Sequence, residues 1–129
     1  MPTKAAGCWV MPAEAVKSPT AEQARDLMIE CFFHAQRETL ARVKMTLSGK
    51  EQVPSDDDLR RSIRMMLKLA MRESADDFDK PTVESLERLL AALRHKAAAW
   101  GTPDDIILHH CGQIRVLLDR VALQSARRG

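Results

Sequence analysis

TVESLERLLAALRHKAAAWGTPDDIILHHCGQIRVLLDRVALQ, residues 82–124, decides the fold. Leu86, Leu89, Leu90, Leu93, Ala97 and Trp100 recur at the three- and four-residue intervals that gather side chains on one face of an α-helix, leaving Arg88, His95 and Ala99 toward water. Gly101 ends that run. Thr102 then supplies a capping hydroxyl, Pro103 suits the first helical position, and Asp104 and Asp105 sit where the positive end of a helix dipole favours carboxylates. A second stripe follows in Ile107, Cys111, Ile114, Leu117, Leu118 and Val121, with Arg120, Arg127 and Arg128 near the opposite pole. The spacing predicts helices over 82–100 and 103–124, joined by a turn so short that they must be antiparallel neighbours.

Working outward, Ser55 is a good cap for a helix over 56–74, with Asp56, Asp57 and Asp58 in its first turn and Leu59, Ile63, Met66, Leu67 and Ala70 as its core stripe. Asp76, Asp77 and Asp79 mark the connection to the next helix. A first helix is predicted over 20–47, opened by Ser18, Pro19, Thr20, Glu22 and Gln23 and stopped by Ser48 and Gly49. Its apolar arc of Ala24, Leu27, Met28, Cys31, Phe32 and Ala35 runs on into Glu38, Thr39 and Arg42. Burying an ion pair gains little after desolvation, so this polar continuation reads as an overhang past the neighbouring helices rather than a sheltered Glu38–Arg42 pair. Residues 1–18, with Pro2, Gly7 and Pro12, read as a loosely ordered arm whose Cys8, Trp9, Val10 and Met11 can dock, and residues 19–126 as a single helical domain. The expected architecture is an all-α antiparallel four-helix bundle.

Composition points the same way. The chain has 129 residues, enough for one domain with a real core, and 45% hydrophobic against 29% charged residues separates it from disordered chains. Aromatic residues make only 4% while Leu, Ala, Met, Arg and Glu abound, which suits helices and not pleated faces. No run approaches the roughly 20 apolar residues that a bilayer span needs. Ala5, Ala6 and Gly7 before Cys8 resemble a lipoprotein cleavage site but lack an apolar stretch ahead of them, so no lipid anchor is expected. Three cysteines, Cys8, Cys31 and Cys111, an odd number without metal-finger spacing, fit a reducing cytoplasm.

The metal-ligand types that helices can bring together are Cys31 and His34 on the first helix and His110 and Cys111 on the fourth, with Glu30 or Glu38 nearby. His110 and Cys111 diverge by about 100° around their helix, which makes a shared ion difficult. The plainer reading takes the cysteines as small buried residues, His110 as a core-edge ring bonded to a carbonyl, and His109 as exposed. The Glu-x-x-His spacing of di-iron bundles is absent, since Glu30 and His34 are four apart. Nor is there a glycine-rich turn to hold phosphate or an oxyanion, so no catalytic set and no cofactor is assigned.

Arg61, Arg64, Lys68 and Arg72, with Arg60 beside them, form a positive strip along the second helix that no acid interrupts in sequence. Such a strip can be a solvated face, or it can meet phosphates or an acidic protein surface. A formal charge of +2 is too small to imply a polyanion by itself, and the acids at 56–58 and 76–79 would repel an extended nucleic acid. Phe32, Phe33 and Met65 exceed what one core is expected to cover, which favours a dimer. The sequence therefore reads as a helical interaction or adaptor protein, self-associating or bound to a protein partner. A metal- or small-ligand-binding bundle and a nucleic-acid-binding module using the second helix are the alternatives.

Overall fold

The computed structural model describes residues 9–46, 55–70 and 78–128. A 3-10 turn at Ala13–Val16 precedes four helices, α1 (Ala21–Thr46), α2 (Asp56–Ala70), α3 (Val83–Ala99) and α4 (Asp104–Arg128), and the described residues contain no strand. Local chemistry fixes the starts. Thr20 Oγ1 accepts from the Gln23 amide at 3.1 Å while Gln23 Oε1 accepts from the Thr20 amide at 2.9 Å, a closed capping box. Thr82 and Ser85 form the same reciprocal pair at α3, and Ser55 Oγ accepts from the Asp58 amide at α2. Between α3 and α4 the chain reverses through Gly101 at φ +80°, a backbone conformation that glycine adopts without a Cβ clash. That turn lets the Thr102 amide reach back to the Ala97 carbonyl.

Contacts across the helices define an up-down-up-down bundle. Asp26, Glu30 and Arg37 of α1 pair with Arg64, Arg60 and Asp56 of α2, so numbers rise on one rod as they fall on the other. Cys31, Gln36 and Arg42 likewise face His110, Thr102 and Asp105 of α4. Glu87 of α3 holds Arg115 of α4. Because α1 packs against all three other helices, its burial spreads around the rod: Ile29, Phe33, Gln36 and Thr39 are buried along with Met28, Cys31, Phe32 and Ala35. Ile63 and Leu67 from α2, Leu86, Leu89 and Leu93 from α3, and Ile114, Leu117, Leu118 and Val121 from α4 complete one core. Full burial of each such side chain contributes about 1.5–3 kcal/mol.

Several expectations are corrected. The polar end of α1 does not overhang: Thr39 donates its hydroxyl to the Ala35 carbonyl, Glu38 meets His110, and Arg42 makes a two-pronged bond to Asp105. Thr102 is buried, and its hydroxyl accepts from Gln36 Nε2 at 3.1 Å, tying the α4 start to α1. Trp100 is half exposed, while on α4 Ile106 and His110 are buried and Ile107 and Cys111 only partly so. The last helix runs to Arg128, beyond the predicted 124. Phe32 and Phe33 are both covered within the chain, so of the three residues expected to need a partner only Met65 is exposed. The predicted helix ends at 47 and 74, together with Cys8, Arg72, Asp76 and Asp77, lie outside the described residues.

Candidate functional site

Two places bring functional side chains together. The first is the groove between α1 and α4, and it holds residues 9–11 of the arm. The Trp9 amide donates to Glu38 Oε2 at 2.8 Å, and the Trp9 carbonyl accepts from Gln113 Nε2 at 3.1 Å and lies 3.0 Å from His109 Nε2. Two residues on, the Met11 amide donates to Gln113 Oε1 at 2.6 Å. Side chains alternate as they do in any extended chain: Met11 is buried, Val10 points out, and the Trp9 ring stacks on His34 with centroids 4.6 Å apart and planes at 8°. The described part of the arm is thus docked rather than loose. Sequence reasoning named Trp9 and Met11 as able to dock but not the receptors, because Glu38, His109 and Gln113 become a set only when α1 and α4 pack antiparallel.

Behind the strap, Glu38 Oε1 lies 3.1 Å from His110 Nε2, so a single carboxylate serves the Trp9 amide and the buried imidazole. That contact corrects the expected carbonyl partner for His110, and the bond to Trp9 corrects the expected exposure of His109. With Nε2 facing the carboxylate, His110 Nδ1 is buried without a partner among the described residues. Burial lowers the His110 pKa, against the opposing pull of Glu38. Cys31 Sγ lies 3.9 Å from the His110 carbonyl and 3.8 Å from Gln113 Nε2. Burial first, then the nearby Cys111, Glu38 and Glu30, push its thiol far above the usual range, which makes it a poor nucleophile. Burial also raises Cys111.

Of the four candidate metal ligands, Cys31 and His110 share this neighbourhood, whereas His34 lies under Trp9, with Glu30 at 3.6 Å, and Cys111 lines an apolar cavity. Among the described residues no three His, Cys, Asp or Glu side chains converge as a metal-binding group. The cavity, enclosed by Phe32, Ala35, Leu93, Ala97, His110 and Cys111 among others, measures about 20 Å³. A single water fills a space of that size.

The second place is the outer face of α2. Arg61, Arg64 and Lys68 lie on it, and Arg72, the fourth member of the predicted strip, falls outside the described residues. Acids meet these cations in space although none separates them in sequence. Arg61 pairs with Asp58 at 3.0 Å and Arg64 with Asp26 at 3.7 Å, while Arg60 grips Glu30 with two bonds and lies 4.0 Å from the centre of the Phe33 ring. Arg25, Arg64 and Lys68 surround the ring of buried Phe78 at 5.3–5.6 Å. Between the cations, Met65 is 57% and Leu69 59% exposed. Leu69 was not singled out from sequence, although its four-residue spacing from Met65 was the available signal.

No helix is long and apolar enough to cross a membrane among the described residues. Comparison with models of protein families, with curated proteins and with solved structures finds no match to this chain.

Proposed function

We propose that the chain is a small helical interaction protein that self-associates through the outer face of α2. The observation that carries this reading is the pairing of exposed Met65 and Leu69 with Arg61, Arg64 and Lys68 on one face. Two large apolar side chains one turn apart make a continuous hydrophobic strip, and docking a second surface removes it from water. Flanking cations orient an amphipathic partner and exclude basic ones. The acidic first turn of α2, Asp56–Asp58, complements the basic strip of a second copy laid antiparallel. With thiols at Cys31 and Cys111 unpaired, the protein suits a reducing, cytoplasmic setting.

Nucleic acid is the weaker occupant. Asp58, Asp26 and Glu30 already neutralise much of the strip, leaving few counterions to be released by phosphate contact. Sedimentation velocity of the wild-type chain and of Met65→Glu/Leu69→Glu tests the proposal. A mass that rises with concentration in the wild type and stays monomeric in the double variant is expected. Indistinguishable behaviour of the two proteins would refute it.

A further inference from the structure

The α1–α4 groove recognises the main chain of an extended segment: Glu38, Gln113 and His109 engage the Trp9 amide, the Trp9 carbonyl and the Met11 amide. Only two side-chain features add selectivity, the Trp9–His34 stack and the buried Met11. A site built this way takes any chain of matching sequence, whichever molecule supplies it.

The connection to α1 is held far less firmly than the strap itself. The 3-10 turn at Ala13–Val16 has no buried residue and no side-chain cap bond. Trp9 lies beside His34, thirteen residues into the first helix and about 20 Å along its axis from Ala21. Residues 9–20, fully extended, reach about 36–40 Å, so the turn takes up slack that the intramolecular path does not need. A strongly held end joined by a weakly held, over-long connector is the arrangement in which an identical element exchanges between copies at little cost.

We propose that the groove of one copy accepts the Trp9–Met11 segment of a second copy, giving an arm-exchanged dimer in which each chain completes the other's site. The occupant is fixed by complementarity, since every contact made within one chain is available between two. This proposal rests on the reading of the chain as self-associating but uses a different surface. Exchange competes with the chain's own arm, whose effective concentration is on the order of millimolar, so it emerges at high protein concentration.

Complementary full-length chains test it. One carries Trp9→Ala/Met11→Ala, with an intact groove and a weakened arm. The other carries His109→Ala/Gln113→Ala, with an intact arm and a weakened groove. Both also carry Met65→Glu/Leu69→Glu, so association through α2 does not contribute and the two proposals fail separately. Each chain alone is expected to be monomeric, and an equimolar mixture to yield a one-to-one dimer by light scattering and by native mass spectrometry with one chain isotope-labelled. A mixture that remains two monomers overturns the proposal.

Should the groove variant not fold, a labelled peptide of residues 5–14 is titrated onto the arm variant alone. Saturable binding, competed by unlabelled peptide and about tenfold less well by the same peptide with Trp9→Ala, supports exchange. No saturable binding overturns it.

Discussion

Replacing Gln113 with alanine removes one side chain that holds two backbone groups of the strap at once. Its Oε1 accepts from the Met11 amide at 2.6 Å and its Nε2 donates to the Trp9 carbonyl at 3.1 Å. Each bond of this kind is worth about 0.5–1.5 kcal/mol net of water, so the pair contributes about 1–3 kcal/mol to docking. Hydrogen exchange reads that number most directly, because the Met11 amide is protected only while the strap is down. Gln113→Ala should therefore speed exchange at Met11 by about 5- to 150-fold while amides in the middle of α3 change little. His109→Ala, which removes a single contact to Trp9, should give the smaller part of the effect. Exchange at Met11 unchanged in Gln113→Ala would show that these bonds do not hold the arm.

Three further outcomes follow from the fold. Burial lowers the His110 pKa, so the unfolded chain binds that proton more readily; this contribution to stability is complete above about pH 6.5 and is lost as pH falls through the depressed folded value. His34 shifts in the same direction, first through burial, so thermal melts between about pH 7 and 5 should decline in the wild type and decline less steeply in His110→Gln. Phe33→Ala empties a buried aromatic site and removes the ring beneath Arg60, and should cost about 3–5 kcal/mol in urea unfolding. Gly101→Ala meets no atom within 4 Å but is strained at φ +80°, so a loss of about 1–2 kcal/mol is expected with the helical content retained.

Much of the bundle was legible because its determinants are local. Thr20 with Gln23, Ser55 and Thr82 are helix caps read directly from residue type, and the stripe of α3 needs only the helical period. Helix α1 was harder for a physical reason. A rod with neighbours on three sides buries residues around most of its circumference, so its pattern blurs, and Gln36, Glu38 and Thr39 looked misplaced until Thr102 and His110 were seen opposite them. The strap site was invisible because its parts are separated by up to 104 residues and use main-chain groups that carry no sequence signal. The basic strip was legible as a row of cations. Its neutralisation by Asp26 and Glu30 was not, since those acids belong to α1.

Methyl resonances of Met65 and Leu69, followed by NMR through a dilution series of the unmodified chain, test the proposed interaction face most directly. Concentration-dependent shifts centred on those two methyls and on the Arg61, Arg64 and Lys68 side chains are predicted. Spectra that do not change with concentration, or changes that cluster on another face and leave Met65 and Leu69 fixed, would contradict it.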